Sequence, residues 1–175
     1  MRTIVEALDP NVPYLVRQRL GPWITRLARA LGEPEDRLYA SGYVGTVEWP
    51  LDEFTKTLQK HGFDWDPLAW YHRPPVGSEP NGSWTYRRTL LGDRQIHVIL
   101  VAHSPEYIDV YAHGEYNWLR HPIKHFRQVG IKRNAVSSGI RRWLERQGVE
   151  VDTKSRYRRR VSHAIKAQLR RSIVG

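Results

Sequence analysis

Residues 95–113, QIHVILVAHSPEYIDVYAH, decide the fold class of this chain. Two runs rich in β-branched and aromatic residues flank Ser104-Pro105-Glu106, a pattern typical of antiparallel strands joined by a short turn. Successive side chains of the first run point to opposite faces, with Ile96, Val98, Leu100 and Ala102 on one face and His97, Ile99, Val101 and His103 on the other. Because both faces are largely apolar, we predict a central strand that is covered on both sides.

Further elements lie on either side of this hairpin. Aromatic and β-branched runs predict strands over residues 43–49, 67–73 and 83–91. Prolines and glycines in residues 74–82 predict a loop. Apolar residues at helical spacing predict helices over residues 12–31, 134–147 and 153–173. Pro50 near the start, acids in the first turn and a glycine stop predict a helix over residues 50–63. Asp152 or Thr153 is the expected cap of the last helix. The chain is therefore expected to be an α+β protein with a helical N-terminus, a mixed or antiparallel sheet of roughly five strands and a basic C-terminal helical hairpin.

The composition limits the class of protein. The chain has 175 residues and no cysteine, which excludes disulfides, thiolate metal ligands and cysteine nucleophiles. It contains no run of about 18 apolar residues, and residues 1–15 lack the apolar segment of a signal peptide. We therefore expect no membrane partner, and we expect the protein in the cytoplasm of a host cell or in a virion.

The charge is distributed unevenly along the chain. The net charge is +10 at pH 7, and residues 131–175 carry all of it, with thirteen lysines and arginines against three acids. Residues 1–130 hold fifteen of each sign. The sequence thus predicts a charge-neutral α+β body, residues 1–130, and a basic helical hairpin, residues 131–175, packed on the body. An excess of one sign in a single segment indicates a polyanionic partner, for which nucleic acid is the first choice.

This basic segment carries the predicted nucleic-acid site. On a helical wheel the last predicted helix separates its apolar residues from most of its cations, which suits packing on one side and phosphate contact on the other. The predicted phosphate-binding residues are Lys132, Arg133, Arg141, Arg142, Arg156, Arg159, Arg160, Lys166, Arg170 and Arg171. The turn between the two helices is longer than in the compact DNA-reading motif. We therefore expect phosphate contact rather than sequence readout, with DNA favoured over RNA.

A second group of polar residues lies in the stretch YIDVYAHGEYNWLRHPIKHF, residues 107–126. Arg120, Lys124 and Arg127 lie near aromatic residues in the sequence and are secondary candidates for nucleic-acid contact, since cations and aromatics together can bind phosphates and stack on bases. The alternative interpretation is that the aromatic side chains belong to the core and the cations form a solvated face.

The histidines of this region raise the possibility of a metal site. Asp109, His113 and Glu115 are the residues on which a metal-dependent nuclease would be centred. We also expect His103 to approach His113 across the hairpin. Because no tight ligand motif is present, however, we expect no bound metal, no cofactor and no catalytic residue. The histidines are then amphipathic residues at the rim of a sheet, bonded to backbone or water.

Pro122 bears on the two remaining histidines of the stretch. His121 and His125 are four residues apart, the spacing of a shared helical face. Proline is favoured in the first turn of a helix, so the helix is expected to begin at Pro122 and to leave His121 outside. This start site weakens the case for a pair of helical metal ligands.

Three stretches within residues 40–127, YVGTVEWPLDEF, GSWTYRRTLLGDRQIHVILV and EYNWLRHPIKHF, resemble a known family. They are similar to small proteins encoded in haloarchaeal genomes and in their viruses or plasmids. Because these proteins are encoded in viruses and plasmids, the resemblance implies a protein of a mobile element. The family has no assigned activity, so the resemblance implies no functional residue. Salt-loving hosts favour acidic proteins, and this basic chain departs from that pattern, as a protein built for a polyanion would.

These observations predict a non-enzymatic nucleic-acid-binding protein of a mobile element. The first alternative is a virion or head–tail connector component whose basic tail contacts packaged DNA or a neighbouring subunit, as part of a homo-oligomer or a viral assembly. The second alternative is a metal-dependent nuclease.

Overall fold

The structure, a computed structural model, describes Trp23, residues 38–66 and residues 82–155. Its strands are β1 (Tyr43–Glu48), β2 (Phe63–Trp65), β3 (Gly82–Tyr86), β4 (Arg94–Ala102), β5 (Tyr107–Tyr116) and β6 (Val151–Asp152). Its helices are a short 3-10 turn (Ala40–Gly42), α1 (Leu51–Lys60), α2 (Pro122–Phe126) and α3 (Asn134–Arg146). The described residues form an α+β fold, as the sequence predicts.

The six strands form one antiparallel sheet in the order β2-β3-β4-β5-β1-β6. β4 and β5 pair along their length, from Arg94 opposite Tyr116 to Ala102 opposite Ile108. β4 lies between β3 and β5, and its residues 98–101 are each at most 1% exposed. The prediction that this strand is central and covered on both faces is confirmed.

One face of the sheet packs against α1 and α3. Phe54 and Leu58 of α1 and Ile140 and Leu144 of α3 are buried in a cluster with apolar side chains of the strands. The strand members of this cluster are Val44, Val47, Phe63, Trp84, Val98, Leu100, Ile108, Val110 and Ala112. The main core therefore lies between the sheet and these two helices.

Two glycines follow these helices. Gly62 follows α1 with φ 83°, and Gly148 follows α3 with φ 78°. These are left-handed conformations, which glycine adopts without the steric cost of a Cβ atom. After Gly148 the Val149 N–H donates to the Leu144 carbonyl oxygen at 3.1 Å, which satisfies one of the last carbonyls of α3.

The opposite face of the sheet is also buried but is more polar. Its apolar cluster consists of Leu38, Tyr43, Ile99, Val101 and Tyr111. Polar side chains that are at most 7% exposed flank this cluster, namely Thr46, His97, Asp109, His113 and Glu115. The sheet therefore separates an apolar layer, covered by helices, from a layer that holds buried polar groups.

β1 is irregular where α3 and β6 contact it. Its pairing with β5 shifts register between Tyr43 and Gly45. Beside this bulge, Arg141 of α3 donates from Nε to the Val44 carbonyl oxygen at 2.7 Å and from Nη2 to the Tyr43 carbonyl oxygen at 3.2 Å. A Cβ atom at Gly45 would lie 2.2 Å from Val151 Cγ1 of β6. An arginine and a glycine thus allow α3 and β6 to pack closely on β1.

Three element predictions were wrong. The helix predicted over residues 50–63 ends at Lys60, and Phe63 begins β2, which the sequence does not predict. The strand predicted over residues 83–91 ends at Tyr86, because turns and bends occupy residues 88–91. Residues 151–152, predicted as part of the turn between two helices, form β6 and pair with Thr46 and Val47 of β1. Over the described residues the sheet has six strands where roughly five were expected, and two of these, β2 and β6, were not predicted.

Several predictions fall on residues that the structure does not describe. These are the helix over residues 12–31 apart from Trp23, the strand over residues 67–73, the loop over residues 74–81 and the last helix beyond Ser155. Among the described residues, no helix combines the length and the apolar character needed to cross a membrane.

Candidate functional site

The structure describes residues 131–155 of the basic segment. Lys132, Arg142 and Arg146 are exposed, whereas Ile140 and Leu144 of the same region are buried. α3 therefore buries one side in the core and presents cations to solvent on another, as the spacing of its apolar residues predicts.

Two of the predicted phosphate-binding arginines contact the body. Arg141 uses its Nε and Nη2 donors on the backbone of β1. Arg133 lies over the Tyr39 ring, with its Cζ 4.2 Å from the ring centroid. A guanidinium stacked on an aromatic face can still present N–H groups at its edges to a phosphate. Arg133 is therefore compatible with phosphate contact, whereas Arg141 is held in place as part of the fold.

The secondary candidates Arg120, Lys124 and Arg127 are exposed, on or beside α2. Arg120 donates to the Leu91 carbonyl oxygen at 3.3 Å. The Tyr116 ring lies near two cations, with Lys124 Nζ 4.8 Å and Arg94 Cζ 4.6 Å from its centroid. The half-buried Tyr116 ring thus lies near one cation of β4 and one of α2.

The remaining predicted phosphate-binding residues lie outside the described residues, namely Arg156, Arg159, Arg160, Lys166, Arg170 and Arg171. The residues just before them carry a helix-start signal. Asp152 Oδ1 accepts the N–H of Lys154 at 2.7 Å and the N–H of Ser155 at 3.1 Å. This is the hydrogen-bond pattern of an N-terminal helix cap, and Asp152 is one of the two caps that the sequence suggests.

Three buried side chains meet on the polar face of the sheet, and we call His97, His113 and Glu115 the histidine–glutamate cluster. His97 on β4 lies directly opposite His113 on β5, and their ring centroids are 4.9 Å apart. His97 Nδ1 is 3.3 Å from Glu115 Oε1, and His113 Nε2 is 3.1 Å from Glu115 Oε2. One potential ligand atom from each of the three residues lies within 4.8 Å of the others. The cluster thus has the composition and the compactness of a metal-binding group.

Neighbouring side chains orient the cluster. Ser83 Oγ lies 2.5 Å from His97 Nε2, and Gln95 Nε2 donates to Glu115 Oε1 at 2.6 Å. His125 of α2 places its Nδ1 3.5 Å from Glu115 Oε2 and 3.1 Å from the Tyr116 carbonyl oxygen. Side chains from three strands and one helix therefore fix the positions of the two imidazoles and the carboxylate.

The electrostatics of the cluster keep Glu115 ionised. Burial alone would raise the pKa of this carboxyl group, because a charged group is poorly solvated in the interior. The charge of His97 and the hydrogen bond from His113 act in the opposite direction and hold the pKa well below its usual value of 4.5. The centre of the cluster is thus a buried carboxylate anion at neutral pH.

The structure corrects the sequence-based pairing of the histidines. His103 does not face His113, because the register places His97 there. His103 Nε2 lies instead 2.8 Å from Asp109 Oδ2, next to Thr46. Asp109 precedes His113 by four residues, about 13 Å along an extended strand. The structure therefore does not bring Asp109 together with His113 and Glu115 as a single nuclease centre.

The histidine–glutamate cluster and α3 lie on opposite sides of the sheet. Gly114 faces α3, since a Cβ atom there would lie 3.0 Å from Val136 Cγ2. Successive residues of a strand point to opposite faces, so His113 and Glu115 point away from α3. Within the described residues, the exposed cations of α3 and the histidine–glutamate cluster are two separate candidate sites.

No protein-family model matches the chain, and neither the curated proteins nor the solved structures gave a significant match. The resemblance to haloarchaeal proteins therefore stays a prediction.

Proposed function

We propose that this protein binds nucleic acid, with DNA favoured, by contacting the phosphate backbone with its basic segment, residues 131–175. The observation that carries the proposal is the charge distribution, with +10 in this segment and zero in the rest of the chain. Cations that neutralise phosphates release condensed counterions, and this release drives binding that does not depend on sequence. The expected activity is binding rather than catalysis.

The described part of the segment supports this proposal. Ile140 and Leu144 anchor α3 in the core, and β6 pairs with the edge of the sheet. The fold therefore holds this part of the backbone in place. Its cations Lys132, Arg142 and Arg146 are exposed. A pre-organised surface loses less conformational freedom when it binds a ligand.

The test compares two variants that lose the same charge from different places. In the segment variant, Gln replaces three cations of the last predicted helix, Arg159, Lys166 and Arg170. In the control variant, Gln replaces three exposed cations of the body, Lys56, Lys60 and Arg88. Both proteins lose three positive charges, so a difference between them reports the position of the charges rather than their number.

The measurement is the slope of log affinity against log salt concentration, from fluorescence anisotropy with duplexes of unrelated sequence. The segment variant should lose up to about 3 units of slope, since each phosphate contact on duplex DNA contributes about 0.9. The control variant should keep nearly the wild-type slope. An unchanged slope in the segment variant would contradict the proposal and favour the virion alternative, in which the basic tail contacts a neighbouring subunit.

A further inference from the structure

The histidine–glutamate cluster has the ligand set of a transition-metal site. Zinc is bound in proteins by imidazole nitrogen, carboxylate oxygen and thiolate, and two histidines with one glutamate are a known protein ligand set for it. This chain has no cysteine, so any zinc site in it must use histidines and carboxylates. His97, His113 and Glu115 supply these groups within 4.8 Å of one another.

The separations within the cluster fit ligands around an ion. Zinc–nitrogen and zinc–oxygen bonds of about 2.0–2.1 Å place neighbouring tetrahedral ligands about 3.3 Å apart. The separations are 3.3 Å for His97 Nδ1 to Glu115 Oε1 and 3.1 Å for His113 Nε2 to Glu115 Oε2. A charge-assisted hydrogen bond between imidazolium and carboxylate is usually shorter, about 2.7–2.9 Å. The His97 separation matches the spacing of metal ligands, whereas the His113 separation is that of an ordinary hydrogen bond, which a bound ion would replace.

The surroundings also resemble the outer shell of a metal site. Metal-ligating histidines usually donate their second ring N–H to a neighbouring acceptor, which fixes the tautomer. Ser83 Oγ lies 2.5 Å from His97 Nε2 and can accept that proton, which leaves Nδ1 to bind an ion in place of the proton that it shares with Glu115. Gln95 holds the Glu115 carboxylate by its Oε1 at 2.6 Å. Both contacts keep the donor atoms turned towards one another.

We propose that His97, His113 and Glu115 bind one divalent transition-metal ion, with Zn²⁺ the best fit among such ions. The ion would join β4 to β5 beside α2. The site lies on the sheet face opposite α3, so this proposal does not rest on the nucleic-acid-binding function. The proposal differs from the sequence-based expectation of no metal, because no tight ligand motif lies along the sequence. The register of β4 against β5 brings the three ligands together instead.

The test uses the untagged full-length protein, stripped of metal with a chelator and titrated with Zn²⁺ in a calorimeter. Co²⁺ serves as a second probe, because its visible absorption reports the coordination number. The ligand variants are His97→Gln and Glu115→Gln. His103→Gln is the matched control, since His103 belongs to the separate Asp109 group. We expect one equivalent of Zn²⁺ to bind the wild type and the control, and to raise their melting temperatures.

The ligand variants should bind Zn²⁺ at least about 100-fold more weakly, beyond the usual effect of losing an outer-shell partner. Ser83→Ala keeps all three ligands and tests the site even if a ligand variant fails to fold. It should weaken binding by about 10- to 100-fold. The proposal is overturned if the wild type binds no stoichiometric Zn²⁺ or Co²⁺. It is also overturned if the ligand variants and Ser83→Ala bind as the wild type does, or if His103→Gln loses binding equally.

Discussion

At the scale of single residues, two neighbouring arginines show how one residue type serves two purposes. Arg141 donates two hydrogen bonds to backbone carbonyls beside the bulge of β1. Arg142 is exposed on α3. The sequence predicts that both arginines bind phosphate. Charge and helical spacing do not reveal which guanidinium donates its hydrogen bonds to the backbone of β1.

Arg141→Gln should therefore lower the stability of the protein, whereas Arg142→Gln should weaken the salt dependence of its DNA binding. Arg141→Gln leaves two carbonyl oxygens without charged donors and should lower the free energy of unfolding by about 2–3 kcal/mol. Arg142→Gln should leave the stability within about 0.5 kcal/mol of wild type but reduce the salt slope of DNA binding by about 1. Urea unfolding and anisotropy titrations measure the two effects. Equal stability of the two variants would show that the Arg141 contacts contribute little.

The low pKa of Glu115 gives a prediction for pH dependence in the metal-free protein. His97 from β4, His113 from β5 and His125 from α2 face this carboxylate. Because its folded pKa lies below the ordinary 4.5, the ionised group contributes stability above that pH. The contribution disappears as the pH falls through the folded pKa.

Glu115→Gln should therefore be about 3–5 kcal/mol less stable than wild type near pH 7, as when one partner of a buried ion pair is removed. The difference should shrink progressively below about pH 4.5. Urea unfolding across this pH range, with a chelator present, measures it. Glu106→Gln, at an exposed position, is the control and should show no such trend. A gap that is constant with pH would contradict the assigned ionisation.

At the scale of elements, the sequence predicts strands and helices better than it predicts their pairing. The buried central strand β4 follows from its apolar residues on both faces. α1 follows from its start and stop signals, and α3 follows from such signals together with its apolar face. The His97–His113 pair does not, because the register of a hairpin depends on where its turn closes. A shift of one residue would move a strand's side chains to the other face of the sheet. β6 is also difficult to predict, since two residues give no alternation and its strand conformation depends on pairing with β1.

Gly45 tests the packing of β6 on β1. In Gly45→Ala the new Cβ atom would meet Val151 Cγ1 at 2.2 Å, so either the Val151 side chain or β6 must shift. We expect a loss of about 1–3 kcal/mol in the free energy of unfolding, the usual effect of overpacking. The double variant Gly45→Ala with Val151→Ala removes the clashing methyl group and should recover part of that loss.

Gly139→Ala is the matched control for this prediction. Gly139 lies within α3, and an added Cβ atom there would meet no atom within 4 Å. Alanine should stabilise the helix by up to about 1 kcal/mol. Thermal melts that gave both glycine variants the same sign would contradict the packing described for β1 and β6.

At the scale of the whole molecule, the boundary in charge at residue 130 is not a boundary in packing. Ile140 and Leu144 lie beyond it, yet both are buried in the main core with Val44 and Val98. β6 also lies beyond it and pairs with β1. The body and the described part of the basic segment therefore share one core.

A chain that ends at Gly130 should consequently fail to fold cooperatively. It would expose the core surface that α3 covers, and loss of a buried leucine side chain alone usually costs about 2–5 kcal/mol. Circular dichroism should show a broad, early melt, whereas a chain that ends at Ser155 keeps α3 and β6 and should melt sharply. A sharp melt of the shorter chain near the wild-type temperature would contradict this prediction.

The position of β1 has a consequence for how the chain is made in the cell. Its two neighbours in the sheet, β5 and β6, begin at Tyr107 and Val151, whereas β1 ends at Glu48. At ribosomal speeds of about 5–20 residues per second, β1 waits several seconds for its first partner and longer for its second. During that interval its backbone N–H and C=O groups are open to pairing with other nascent chains. The unfinished chain on the ribosome is therefore open to such pairing for several seconds, and slower translation should increase its aggregation.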